Sequence, residues 1–281
     1  MSHSPPSVCR PWSDAGHTEL RPVRGVLTDI DDTLTRHGRI EPAAAQALAQ
    51  LHESGVPVVA ITGRPMGWSL RLARQWPLKA IVAENGSVAI LPGPRRVRVE
   101  FSQDLATRQA HARHLRRVAG RIVQAVPGAV LARDSHGRMT DIAVDHSEHT
   151  HLDRLSVARV VSIMQDEGLT ATVSSIHING WLGDHNKWHG AQWIVQRLWQ
   201  RDIQQEREQW IYVGDSTNDQ IMFEHFPLSV GVANLMDFRS ELRTWPRFVT
   251  SLPRGRGFAQ VARRLLSRPG NEGTRSRWGR P

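Results

Sequence analysis

The chain has 281 residues, 40% of them hydrophobic, with a formal net charge of +9 and a mean hydropathy of −0.40, enough for one large domain or two modest ones. No run of roughly 18 apolar residues occurs, so no membrane span is expected. Cys9 is the sole cysteine, which excludes an intrachain disulfide and makes a cytoplasmic location the expectation.

Residues 1–22 are rich in Pro and Ser, lack an apolar leader core, and are expected to be disordered. Val23–Leu27 reads as a buried strand. It runs into Asp29-Ile30-Asp31-Asp32-Thr33, three carboxylates within four positions. Strand alternation puts Asp29 and Asp31 on one side. Two like charges held that close need a cation, a shared proton, or both. The segment is thus a candidate for metal-assisted phosphoryl chemistry. A helix is expected over 41–53, with Pro42 at its start and Gly55 beyond its end. Val56–Ile61 is a second apolar strand, closed by Thr62-Gly63-Arg64-Pro65. A helix over 68–75 and a strand over 80–83 follow, and Glu84-Asn85-Gly86 ends this part. Strand and helix alternate throughout, the pattern of a parallel α/β sheet.

The rhythm then changes. Strands over 88–91 and 96–101 flank Pro92-Gly93-Pro94. A long amphipathic helix over 105–126 sets Leu115, Val118, Ile122 and Val126 against Arg113, Arg116, Arg117 and Arg121. Strands over 129–132 and 139–144, a helix over 152–167 and strands over 171–174 and 176–179 complete the set. This composition predicts an α+β module spanning residues 87–183, inserted into the first fold. Within it, Asp145-His146-Ser147-Glu148-His149-Thr150-His151 reads as an exposed polar connector. The α/β rhythm returns with a helix over 190–199 and a strand over 210–213 ending in Gly214-Asp215-Ser216-Thr217-Asn218-Asp219. A helix over 220–225, a strand over 228–232 and a helix over 257–266 close the chain's ordered part.

The charge is unevenly spread. Residues 251–281 hold eight Arg and one Glu, so most of the excess is C-terminal. Residues 267–281 are expected to be a disordered basic tail. Such a tail could touch RNA or anionic lipid, but a solvated tail is the reading preferred, and nucleic acid is not expected as a partner. All but two of the 36 basic residues are arginines, the exceptions being Lys79 and Lys187. A compact ammonium and a planar guanidinium are not interchangeable at a tight site. A lysine kept against such a bias therefore marks a candidate functional position.

Four segments place polar residues where strands end or helices begin: Asp29–Thr33, Thr62–Arg64, Lys187, and Gly214–Asp219. Ligands of open parallel sheets bind beyond the carboxyl ends of the strands. The combined inventory of carboxylates, a hydroxyl, one ammonium and glycine-freed amides suits a hard divalent cation and a phosphate. In order, these segments resemble the four motifs of the haloacid dehalogenase superfamily of phosphohydrolases. The position of the insert, together with Asn85-Gly86 and the Gly214–Met222 segment, is similar to the type IIB cap subfamily, whose relatives include Cof-type, sucrose-phosphate and mannosyl-3-phosphoglycerate phosphatases. Asp32 and Trp188 stand where relatives often have glycine.

That resemblance implies a Rossmann-like parallel-sheet core over 23–86 and 184–266, with residues 87–183 as an α+β cap that sets substrate choice. It implies a phosphatase using Mg²⁺ on phosphate monoesters of small metabolites, with sugar phosphates as the expected class. Asp29 would be the nucleophile and Asp31 the general acid and base, its carbonyl also binding Mg²⁺. Thr62, Gly63, Lys187 and Asn218 would serve the phosphate. Asp29, Asp31, Asp215 and Asp219 would serve the metal. Arg64, and the cap residues Arg138, Asp141, His177 and Asn179, are candidates for reading the substrate. A phosphotransferase or mutase of the same fold is the alternative. A non-enzymatic basic nucleic-acid adaptor ranks below it, because it leaves the motifs unexplained. Oligomeric state is not legible.

Overall fold

The computed structural model describes residues 9–268. Its main sheet is built on strands that, away from its two edges, are buried along their whole length, as strands covered on both faces are. In chain order these are β1 (Arg10–Pro11), β2 (Gly25–Thr28), β3 (Val58–Ile61), β4 (Ala80–Ala83), β5 (Val88–Leu91), β6 (Arg98–Phe101), and, after an excursion, β11 (Trp210–Gly214), β12 (Ser229–Gly231) and β13 (Phe248–Val249). Their order across the sheet is β1-β13-β12-β11-β2-β3-β4-β5-β6. All neighbours from β1 to β4 are parallel. β5 and β6 add antiparallel strands at one edge.

Helices cover both faces. α1 (Pro42–Glu53) turns Ala44, Ala47, Leu48 and Leu51 inward, and α7 (Arg254–Leu266) turns Phe258, Val261 and Leu265 inward, into one apolar cluster. α2 (Met66–Gln75) joins the same side through Leu72 and Ala73. On the other side α5 (Lys187–Trp199) and the short α6 (Gln220–His225) pack Ala191, Ile194, Val195, Met222 and Phe223 against Leu27, Val59 and Tyr212.

The excursion carries α3 (Leu105–Ala125), β7 (Val130–Leu131), β8 (Asp141–Asp145), α4 (Arg154–Asp166), β9 (Thr170–Val173) and β10 (His177–Trp181). The strands form a separate antiparallel sheet, ordered β9-β10-β8-β7. The two helices bury Leu115, Val118, Ile122, Val160 and Ile163 against Val144 and Ile178 in a third cluster.

Two boundaries differ from the sequence reading. The strands at 88–91 and 98–101, expected to open the insert, instead extend the main sheet. Val88, Ala89, Ile90 and Leu91 are buried, and ladder bonds to β4 absorb their backbone groups. The second sheet is therefore reached through Ser102–Asp104 and left through Leu182–Asn186. The N-terminal segment is also ordered from residue 9 onward. Arg10–Pro11 pairs with β13, Trp12 and Leu20 join the core, and the Trp12 indole Nε1 donates to the Gln260 carbonyl at 3.1 Å. Burying a tryptophan and a leucine offsets the entropy of ordering a short segment. Of the expected basic tail, Ser267 and Arg268 are described, and Arg268 is buried with Nη1 donating to the Leu20 carbonyl. The remainder, like residues 1–8, lies outside the described residues. Among the described residues no helix is long and apolar enough to cross a membrane.

Candidate active site

Strand β2 hands its register directly to the first carboxylate: the Asp29 N–H donates to the Val213 carbonyl at 2.8 Å, continuing the β2–β11 ladder. The chain then turns tightly. The N–H groups of Thr33, Leu34 and Thr35 all converge on the Ile30 carbonyl at 3.3, 2.9 and 3.1 Å. Asp32 adopts a left-handed φ of 52°, and its carboxylate accepts from Arg254 Nε at 2.6 Å. Asp32 thus shapes the turn. Alternation sends Ile30 into the core and leaves Asp29 and Asp31 lining one crevice.

Lys187 reaches that crevice as the first residue of α5, capped by the Asn186 side chain, which accepts from the His189 N–H at 2.9 Å. Two glycines let the helix end come this close. A Cβ on Gly190 would fall 2.7 Å from Gly86 Cα, and one on Gly86, at φ 113°, would fall 2.1 Å from the Asn186 carbonyl oxygen. Lys187 Nζ donates to Asp29 Oδ1 at 2.7 Å, to Asp219 Oδ1 at 2.6 Å and to Asn218 Oδ1 at 3.4 Å.

Asp219 is held from all sides. Besides Lys187 it accepts from the Tyr212 hydroxyl, the Asp215 N–H at 2.8 Å and the Ser216 N–H at 3.1 Å. Its oxygens are occupied by donors that fix the ammonium and the loop. Asp215 is fully buried with lighter support, accepting from Thr33 Oγ1 at 3.2 Å and Asn234 Nδ2 at 3.3 Å. Thr62 Oγ1 accepts from the Arg64 N–H at 3.0 Å, and Thr62, Gly63 and Asn218 all line the crevice.

The electrostatics are strained by burial. Burial pushes the Asp29 carboxyl well above the usual carboxylate range. The neighbouring Asp219 and Asp31 charges add to this, and Lys187 opposes it. Burial also raises Asp215, reinforced by Asp29, Asp219 and Asp32. Burial works against the Lys187 charge, but Asp219 and Asp29 more than offset it and hold the ammonium above its ordinary value. Asp29, Asp215 and Asp219 are thus answered by one lysine. A cluster of hard oxygen donors with uncompensated negative charge fits a hard divalent cation. The poorly supported pair Asp29 and Asp215 is where that charge is least satisfied.

Opposite stands the second sheet. Ser174, Ser175, Ile176, His177 and Asn179 close over the crevice, leaving free space of about 10 Å³, enough for roughly one water molecule. The candidate substrate residues are here, though largely committed to one another. Arg138 Nη1 donates to Asp141 and to the Gly63 carbonyl, both at 2.9 Å, and Asn179 Nδ2 donates to Asp141 at 3.2 Å and Gly63 at 3.3 Å. Asn85 Nδ2 adds a bond to Asp141 at 3.2 Å. His177 and Asn179 face the crevice, whereas Arg138 and Asp141 lie behind it. Arg64 is buried and pairs with Asp31.

Several residues escaped the sequence reading. The polar connector is not exposed: Asp145 and His146 are buried, and Glu148 reaches Arg64. Its carboxylates stay because they find donors; Asp145 accepts from the N–H groups of Ser147, Glu148 and His149. Asp145, Glu148 and His177 stand close enough to suggest a metal cluster, but Asp145 already accepts from those three N–H groups, and Glu148 accepts from Arg64 and lies 2.9 Å from His177 Nε2. Glu84, also buried, accepts from Met66 N at 3.0 Å and Thr140 N at 2.7 Å, joining the two sheets. Tyr212 carried one signal, being the sole tyrosine of the chain and standing on the strand that delivers Asp215.

With that geometry in view, comparisons with known proteins agree. Residues 26–112 match the family model of haloacid dehalogenase-like hydrolases. A phosphoglycolate phosphatase of Methanothermobacter thermautotrophicus is 26% identical over 246 residues, covering 87% of this chain and 99% of the relative. In structure, the chain resembles the sucrose-phosphatase of Synechocystis sp. in complex with sucrose and phosphate (TM-score 0.61, 16% identity, 86% of this chain and 97% of that one). It also resembles the C-terminal domain of the trehalose-6-phosphate phosphatase of C. albicans (TM-score 0.63, 15% identity, 93% and 99%). Motifs, fold and a relative matched over nearly its full length converge on an enzyme of the phosphatase kind, similar to the haloacid dehalogenase-like hydrolases over residues 26–112.

Proposed function

We propose that the chain is a Mg²⁺-dependent phosphatase of small phosphorylated metabolites that works through an aspartyl-phosphate on Asp29. The observation that carries this reading is the buried contact of Lys187 with both Asp29, which lines the crevice, and Asp219 behind it. Asp29 Oδ1 is held by the ammonium, and Oδ2 has no hydrogen bond among the described residues. That oxygen attacks phosphorus, and the bond from phosphorus to the leaving oxygen breaks. Asp31 gives its proton to the leaving oxygen. As a carboxylate it then takes a proton from water, whose oxygen attacks the phosphorus and restores Asp29. Thr62, the Gly63 backbone and Lys187 hold the phosphoryl oxygens. Mg²⁺, when bound by Asp29 and Asp215 with the Asp31 carbonyl, would draw negative charge off the phosphoryl group. Asp219 serves by orienting Lys187 and the 215–219 loop.

Residues of the second sheet act as a cap over the site, with His177 and Asn179 nearest the leaving group. Sugar phosphates are the first substrate class, in line with the sugar-phosphate names of two structural neighbours. A smaller monoester of the phosphoglycolate kind is the second reading, favoured by the narrow crevice and by the name of the full-length relative.

Turnover of a panel of sugar phosphates and phosphoglycolate, with Mg²⁺ and with EDTA, separates the two. EDTA should abolish activity and added Mg²⁺ restore it. D29N should lose turnover by a factor of 10³ or more, about the scale of a removed nucleophile, while melting as a folded protein. Full activity in D29N would sink the mechanism. Phosphate delivered to a second sugar hydroxyl instead of water would favour the phosphotransferase alternative.

A further inference from the structure

Arg64 sits between the catalytic carboxylates and the second sheet and is 4% exposed. All three guanidinium nitrogens are engaged. Nε and Nη2 grip Asp31 at 2.9 and 3.0 Å, Nη1 donates to Asp134 at 3.1 Å and Glu148 at 3.2 Å, and Nη2 also donates to Glu148 at 2.5 Å. The guanidinium carbon lies 4.7 Å from the centre of the Trp68 ring. Asp31 belongs to the turn after β2. Asp134 and Glu148 flank β8 of the second sheet, and each has a further partner there: Arg138 Nη2 donates to Asp134 at 3.3 Å, and His177 Nε2 lies 2.9 Å from Glu148.

One cation is therefore shared by a carboxylate of the main sheet and two of the second sheet. A planar fork offers about five N–H bonds in fixed directions, enough for paired contacts to three carboxylates, whereas an ammonium offers only about three on a freely turning stem. While the second sheet is seated, Asp134 and Glu148 fix the guanidinium, and the guanidinium fixes the Asp31 carboxylate over the crevice. When it lifts, two of the three anchors leave, and Arg64 with Asp31 is free to turn. This arrangement leaves Arg64 no donors for a substrate, against the expectation that it reads the leaving group.

We infer that Arg64 is a positioning residue that ties the seating of the second sheet to the aim of Asp31 at the leaving-group oxygen. The inference rests on the proposed role of Asp31 as general acid.

The test compares kcat/KM, which reports bond cleavage to the leaving group, for two substrates. One is p-nitrophenyl phosphate, whose phenolate departs without a proton. The other is the fastest alkyl phosphate of the substrate panel, whose alkoxide needs one. D31N is the control and should lose far more activity on the alkyl phosphate. E148Q and D134N keep Arg64 and the main-sheet site intact. Each should lose about tenfold or more on the alkyl phosphate, the scale of a slightly misplaced catalytic group, and less than about threefold on p-nitrophenyl phosphate. R64K, which keeps the charge without the fork, should show the same split more strongly, with folding checked by thermal melting. If D31N shows the split and E148Q and D134N do not, the inference is overturned while the role of Asp31 stands. If D31N shows no split, the acid role falls and the inference with it.

Discussion

Lys187 illustrates how much one side chain can carry. In a chain that otherwise uses arginine almost throughout, a compact ammonium was retained where Asp29 and Asp219 approach within 2.7 Å. A guanidinium would need more room and a planar partner. His185, two residues before it, gives a separate test. It is buried against Trp181, and its Nε2 has no partner. Burial pushes its pKa down to about 4 from 6.5. Between those values the unfolded chain binds a proton that the native protein does not, so stability rises with pH through that window. The loss at pH 5 relative to pH 8 should be about 2 kcal/mol from this residue. H185Q should flatten the acid limb of the stability curve, read by urea unfolding at both pH values. An unchanged slope would reject the assignment.

At the scale of elements, the proposed chemistry rests on how closely α5 approaches the end of β4. The contact is backbone against backbone, with Gly190 facing Gly86. G190A should push the helix end outward, cost roughly 1–3 kcal/mol by overpacking, and reduce kcat by displacing Lys187. Urea unfolding and steady-state rates check both parts, and an active, fully stable variant would contradict the account. The element pattern also shows where sequence reading succeeds. β2, β3, β4 and β11 were legible because a strand buried on both faces is continuously apolar, and each ends abruptly in polar residues. Periodicity also marked α3. The hairpin of β5 and β6 was legible as two strands, but its sheet was not. Alternation records which residues are buried, and not which edge accepts the strand. The two-residue strands β1 and β13 are too short to leave a periodic signature.

In the whole molecule, the two sheets meet through a polar network: Glu84 to Thr140, Arg138 and Asn179 to Gly63, and Arg64 to Asp134 and Glu148. Polar interfaces of this kind suit units that separate and reseat. A substrate larger than the crevice requires such movement. Gly67 and Gly137 are in contact across the interface, a Cβ on the first lying 3.1 Å from Cα of the second. A side chain at Gly67 would therefore press the sheets apart, so G67V should loosen the seating of the second sheet, read as faster hydrogen exchange of the Thr140 amide that donates to Glu84 across the interface. Unchanged exchange would show that the interface yields there without separating.

What the sequence determined by itself was which polar side chains stand at the main-sheet end. Asp29, Asp31, Thr62, Lys187, Asp215 and Asp219 are each announced locally, by an apolar strand that stops or a lysine that breaks a compositional rule. The tertiary structure decided everything that depends on partners distant in the chain. It turned Asp219 into the clamp of Lys187 and Tyr212, drew Glu148 out of a segment that reads as exposed, and committed Arg64 to three carboxylates rather than to a substrate. The physical reason is that a side chain's type limits what it can bond, while its burial and its partners exist only after distant segments have packed together.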